Sequence, residues 1–263
     1  MHTLELLAHT VALRPYVFGF LAAFLVIALG EIGPARTLVW LVLGYGVAFA
    51  CEYTSTRNGF PFGLYHYFDA PTRGRELWVS NVPFMDSLSF VFLSFVGYAA
   101  ARRLIGATPH PEGRIQLTPL LLGLGTLLMV AIDLVCDPVA LRGDRWFLGK
   151  LYDYAEPGLF FGVPFTNYLG WTFVGAVVLA AMGALERAGW LRGAPLYSLP
   201  RGTVTAFYAA IVLFNAVIAF WIGLAPVGWL GLALVAAVTV ASAFPFGLRS
   251  GGLSSEPGYE EAR

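Results

Sequence analysis

Apolar residues fall into seven long blocks, near 15–32, 36–53, 82–101, 117–136, 164–184, 203–223 and 226–247, separated by polar or Gly- and Pro-bearing links. Crossing about 30 Å of hydrocarbon takes about 20 helical residues. Each block therefore predicts a membrane-spanning helix, and together they predict an all-α, polytopic integral membrane protein with about seven transmembrane helices. Gly33-Pro34 and Ala225-Pro226 predict tight turns that make spans one and two, and spans six and seven, antiparallel neighbours. The first block is expected to stay in the mature chain, because Glu31-Ile32-Gly33-Pro34 offers no small-x-small cleavage site and a second span follows at once. One transmembrane domain is thus predicted over 1–248, and the Ser-, Gly- and Glu-bearing stretch 249–263 predicts a disordered tail.

Counting spans puts the N-terminus and the 2–3, 4–5 and 6–7 connections on one side, face A, and the other connections on face B. Two face-A loops are unusually apolar. Residues 54–80 carry Phe60, Phe62, Tyr65, Tyr67, Phe68 and Trp78, and 138–163 carry Trp146, Phe147, Tyr152, Tyr154, Phe160 and Phe161. Such rings favour the headgroup zone. These segments are expected to lie on or dip into the bilayer surface, with their backbone groups satisfied against protein, either as an anchoring belt or as a lid over a substrate site. Face B gathers arginines in short polar links (Arg102, Arg103, Arg114, Arg187, Arg192, Arg201), which favours it as the cytoplasmic side.

Composition agrees with a membrane protein: 58% of the 263 residues are hydrophobic and 12% charged, against roughly 45–50% and about 25% in soluble domains. Sixteen basic residues balance sixteen acidic ones, so no basic excess is available for a nucleic-acid backbone, and nucleic acid is excluded as a partner. Cys51 and Cys136 lack metal-ligand spacing and sit in or at the end of apolar blocks, which predicts small buried side chains.

The informative residues are acids within the apolar blocks. Glu52 ends span two, Asp86 opens span three, and Asp133 and Asp137 close span four. Spans two and four run towards face A and span three leaves it, so counting alone brings four carboxyls to one level. Asp133 and Asp137, four residues apart, share one helix face. A carboxyl in a membrane span is costly, turns inward and marks a functional site. The bland alternatives are solvation, pairing of Glu52 or Asp137 with Arg57 or Arg142, and a helix-dipole role for Asp86. Asn81, Ser87, Ser89, Asn167, Tyr168 and Trp171 lie near enough in sequence to support the acids.

Neighbouring carboxyls in an apolar, aromatic pocket cannot easily both ionise, so one is expected to hold a proton beside an anionic partner. That is a general acid beside a general base. A substrate reaching it from hydrocarbon would be a lipid with an alkene. Protonating a trisubstituted isoprenoid alkene gives a tertiary carbocation that aromatic faces steady, and the partner carboxylate can activate a water to capture it. Such a hydration needs no metal or organic cofactor.

Three motifs then stand out: E-Y-T-S-T-R-N-G-F-P-F-G-L-Y-H-Y from Glu52 to Tyr67, D-L-V-C-D-P from Asp133 to Pro138, and G-V-P-F-T-N-Y-L-G-W from Gly162 to Trp171. In order and placement they resemble the membrane-embedded carotenoid biosynthesis family that includes CruF-type carotenoid 1,2-hydratases. The resemblance covers roughly 50–175. It implies residence in the bacterial inner membrane, a carotenoid or polyprenoid lipid substrate, contact with other carotenoid-pathway enzymes, and addition of water to the terminal double bond of an acyclic ψ end group. Carried over by motif position, it singles out Glu52, Gly59, Pro61, Phe62, Gly63, Tyr65, Tyr67, Asp133, Asp137, Pro138, Asn167 and Trp171. The expected catalytic set is Glu52, Asp86, Asp133 and Asp137, with Asp133 or Asp137 as acid and Glu52 or Asp86 as its partner. The expected substrate-binding set is Arg57, Phe62, Tyr65, Tyr67, Asn167, Tyr168 and Trp171. The stretch from Asn81 to Ser89 departs from the family's apolar start of the third span by carrying Asp86 and two hydroxyls.

Two rivals have different requirements. A magnesium-dependent membrane polyprenyl transferase could use Asp133-x-x-x-Asp137 for a metal diphosphate, with Arg57, Arg142 and Arg145 as cations, but such enzymes pair two acidic motifs and one is present. A non-catalytic carotenoid- or lipid-binding protein is the other. An opsin needs a lysine within a span, whereas Lys150 falls in a loop; His2, His9, His66 and His110 all lie outside the spans, which disfavours haem.

Overall fold

The computed structural model describes residues 3–70, 72–107 and 110–244. Among them are eight helices: α1 (Thr3–Leu13), α2 (Pro15–Glu31), α3 (Pro34–Asn58), α4 (Phe84–Leu104), α5 (Pro119–Ala140), α6 (Phe165–Arg187), α7 (Thr203–Trp221) and α8 (Ala225–Ala243). Helices α3 to α8 are each long and apolar enough to cross a membrane. With 17 residues, α2 meets that requirement only together with α1, from which it turns by 94°. Pro15 causes the break, since it opens α2 at a position where its missing N–H costs nothing. The chain is an integral membrane protein of six spans, or seven with the bent pair. The tail expected over 249–263 lies outside the described residues.

The most deeply buried span is α4, and it organises the bundle. Gly97 lets α5 approach closely, because a Cβ there would lie 2.6 Å from the Gly125 carbonyl oxygen. Trp40 Nε1 donates to Ser94 Oγ at 3.0 Å, joining α3 to α4, and Tyr208 Oη donates to the Leu128 carbonyl at 3.0 Å, joining α7 to α5. In an apolar medium such bonds have no water to compete with them.

Ion pairs close both ends of the bundle. On face B, Glu31 at the end of α2 meets Arg103 and Arg102 at the end of α4. Buried Arg36 donates to both Glu186 oxygens and to the carbonyls of Glu112, Leu191 and Gly193. On face A, Arg14, 1% exposed at the α1–α2 break, donates to both Glu76 oxygens at 2.8 and 3.2 Å and to the Leu148 carbonyl. One guanidinium thereby ties the bend to both long face-A loops.

Those loops cover the bundle end and pair with each other. β1 (Tyr65–Tyr67) runs antiparallel to β4 (Tyr152–Tyr154), with Tyr65 opposite Tyr154 and Tyr67 opposite Tyr152. The first loop also holds the short hairpin of β2 (Trp78–Val79) and β3 (Val82–Pro83). Trp146 Nε1 caps the Val139 carbonyl and Arg142 caps those of Pro138 and Phe161, so the second loop folds back over the end of α5. The aromatic residues divide between the two roles considered for them: Phe60 and Phe147 are more than half exposed, while Tyr65, Tyr152 and Trp146 are buried.

Candidate active site

Beneath the two-stranded lid lies a cavity of about 140 Å³. Its wall includes all four acids, Glu52, Asp86, Asp133 and Asp137, together with Phe62, Tyr65, Tyr67, Asn167 and Trp171. Helix spacing explains the grouping. Residues four apart share a face, which aligns Asp133 with Asp137 on α5 and Asn167 with Trp171 on α6. The strands have period two, so Tyr65 and Tyr67 of β1, and Tyr152 and Tyr154 of β4, turn their rings the same way, into the cavity. His66, between two of them, is exposed.

Asp137 is surrounded by donors. Tyr152 Oη donates to Oδ1, and Tyr154 Oη and Asn167 Nδ2 donate to Oδ2 at 2.8 and 2.9 Å. Three donors and no acceptor suit a carboxylate. Asp133, with no exposed surface, is treated differently. Asn167 Nδ2 donates its other proton to Oδ2 at 2.8 Å, and Oδ1 has no hydrogen-bond partner among the described residues. Asn167 thus bridges two carboxyls while leaving one oxygen of Asp133, a residue of the cavity lining, uncommitted.

The other two acids of the lining, Glu52 and Asp86, meet at a single phenol. Tyr67 Oη lies 3.0 Å from Glu52 Oε1 and also contacts Asp86 Oδ2, while Ser87 Oγ donates to Glu52 Oε2. A phenol has one proton. The two carboxyls therefore compete for that proton, and one further proton held by the pair would supply the second hydrogen bond. Burial, reinforced by neighbouring carboxylates, pushes Tyr65, Tyr67, Tyr152 and Tyr154 well above the usual tyrosine range, so these phenols remain donors.

Rings complete the wall. Phe90 stacks on Trp171 with centroids 4.3 Å apart and 23° between planes, and the four lid tyrosines contact one another edge-on at 5.2 to 6.1 Å. Phe62 fits against Gly170, where a Cβ would lie 2.3 Å from its ring.

Two expected binding residues lie elsewhere. Arg57 is exposed, stacks on Tyr53 at 3.4 Å and donates to Asn81 Oδ1 and the Tyr53 carbonyl. Five residues past Glu52, it points to another side of α3. Tyr168 follows Asn167 by one residue and is therefore rotated about 100° away from the cavity, against Phe160. Among the described residues neither Glu52 nor Asp137 pairs with an arginine; Arg142 is engaged with carbonyls. Cys51 is buried, and Cys136, partly buried, lines the cavity. Tyr152 and Tyr154, expected only as loop aromatics, line the cavity as well, and the repeated Tyr-x-Tyr at 65–67 and 152–154 is the sequence signal for them. Tyr16, Phe90, Phe214 and Asn215 also line the cavity without having been singled out. Among the described lining residues none is lysine or arginine, so a diphosphate would meet no cation here.

The family model for carotenoid biosynthesis protein matches residues 12–245. A curated relative, the bisanhydrobacterioruberin hydratase of Haloarcula japonica, is 32% identical over 157 residues, covering 59% of this chain and 47% of the relative. The chain therefore matches about half the length of that relative. No solved structure matches.

Proposed function

The chain belongs to the carotenoid biosynthesis protein family, and from that premise we propose that it is a carotenoid hydratase adding water to the terminal carbon–carbon double bond of an acyclic ψ end group, in the bacterial inner membrane. The observation that carries this reading is the gathering of Glu52, Asp86, Asp133 and Asp137 on one largely apolar cavity, with Asp133 Oδ1 buried and unpartnered among the described residues and with Glu52 and Asp86 meeting at one phenol. In size the cavity, about 140 Å³, is close to the ~150 Å³ that accommodates benzene. It suits a branched end group.

Asp133 delivers its proton to the CH carbon of the double bond, and positive charge develops at the carbon bearing the two methyl groups. The faces of Tyr65, Tyr67, Phe90 and Trp171 lie around the cavity to steady it. Water bonds to that carbon, and its proton passes to the Glu52–Asp86 pair, which can accept one more. Asp137, saturated with donors, stays anionic and sets the position of Asn167 and hence of Asp133. The cycle closes when the proton returns to Asp133. The hydratase named in the relative supports the reaction class.

Expression in a lycopene-accumulating host tests this. A new carotenoid heavier by one water is expected, with its hydroxyl oxygen taken from H₂¹⁸O. Unchanged lycopene, or oxygen taken from O₂, would exclude hydration.

A further inference from the structure

The cavity extends beyond the acids. Its far wall is built by Tyr16 and Phe20 of α2 and by Phe214 of α7, over a floor of Phe92 and Leu93 from α4. Exposed Phe147 meets Tyr16 at 5.7 Å and Phe214 at 6.5 Å, so this wall lies next to the surface of the bundle. Towards α3 and α6 it is closed by Phe62 against Gly170 and by Phe90 stacked on Trp171. Between α2 and α7 the closure is made of rings alone. Tyr16 stacks on Phe214 at 5.0 Å and 21°, and Phe20 meets Phe214 edge-on at 5.7 Å. Among the described residues no hydrogen bond joins the two helices. The 94° bend turns α1 away just before Tyr16, so α1 does not extend this wall towards face A.

A cavity this small cannot enclose a long substrate, so most of the chain must leave through some wall, and an apolar polyene needs an apolar exit into lipid. Resting on the carotenoid reading above, we infer that the crevice between α2 and α7, framed by Tyr16, Phe20 and Phe214, is the subsite for the substrate's polyene chain and the route by which its end reaches the acids. Ring faces suit a flat conjugated chain, and ring contacts part more easily than a hydrogen-bonded seam.

The test uses the Asp133→Asn protein, purified from lycopene-accumulating cells and scored by absorbance for carotenoid bound per protein. Adding Phe214→Trp fills the crevice and should lower bound pigment about tenfold or more. Phe20→Trp should do the same from the facing wall, and it carries the test if the first variant does not accumulate. Val217→Trp, on the same helix but 64% exposed and outside the cavity, should leave binding unchanged. Equal pigment in the Phe214→Trp and Val217→Trp proteins would overturn the subsite and leave the carotenoid reading standing. A parent Asp133→Asn protein without pigment would overturn that reading, and the subsite with it.

Discussion

Replacing Asn167 by leucine keeps the side-chain volume and deletes the amide that donates to Asp133 at 2.8 Å and to Asp137 at 2.9 Å. The two carboxyls depend on it unequally. Asp137 retains Tyr152 and Tyr154. Asp133, whose Oδ1 is already unpartnered, retains nothing. A hydrogen bond to a charged group is worth about 1.5–3 kcal/mol, and Asn167→Leu removes one from anionic Asp137 together with the single bond that orients Asp133, so kcat/KM should fall by about 10- to 150-fold. Tyr154→Phe removes one of three donors from Asp137 but leaves the Asn167 bond that orients Asp133 in place, so only part of that bond's worth reaches the transition state and the loss should be only about 2- to 12-fold. Initial rates on a ψ-ended carotenoid, with purified protein in lipid nanodiscs and folded fraction normalised by thermal melts, separate the two. Equal losses, or an Asn167→Leu protein as active as its parent, would refute the claim that Asn167 holds Asp133 with one oxygen free for chemistry.

Arg14→Met breaks a buried pair and leaves Glu76 without its cation, which should destabilise the protein by about 3–5 kcal/mol, read as a lowered melting temperature and faster proteolysis in the face-A loops. Adding Glu76→Leu should recover much of that loss, since the pair can be replaced more cheaply than split. The lid tyrosines favour their protonated form more in the folded than in the unfolded chain. Their contribution is therefore complete below the ordinary phenol value of about 10 and is lost as pH rises beyond it; melting temperature should fall there, less steeply in Tyr67→Phe and Tyr152→Phe proteins. Hydration should continue unchanged in EDTA, whereas activity lost to the chelator and restored by magnesium would favour a prenyl transferase.

Span positions were legible because apolar runs report membrane thickness directly: the seven blocks coincide with α2 to α8 apart from a few terminal residues. Convergence of the acids was equally legible, since alternate span directions and a four-residue repeat determine it. What the sequence hid depends on long-range pairing. Three-residue strands in two separate loops carry no hydrophobic period long enough to announce a sheet, so the Tyr-x-Tyr repeats at 65–67 and 152–154 read as surface aromatics rather than as a lid. Arg57 and Tyr168 were placed by closeness in sequence to Glu52 and Asn167, where rotation about the helix axis decides otherwise. The break before α2 is marked locally by Pro15, but the partner that holds Arg14 there, Glu76, lies 62 residues away.

The most direct test of the acid's role is hydration by the purified protein in deuterated water enriched in ¹⁸O, comparing the parent with Asp133→Asn. The parent should add one deuterium to the CH carbon and one ¹⁸O to the adjoining carbon of the terminal double bond. Asp133→Asn should form that product at least about 10²-fold more slowly while remaining folded in the membrane. A folded Asp133→Asn protein that hydrates at the parental rate, or a parental product lacking the deuterium, would contradict proton delivery by Asp133.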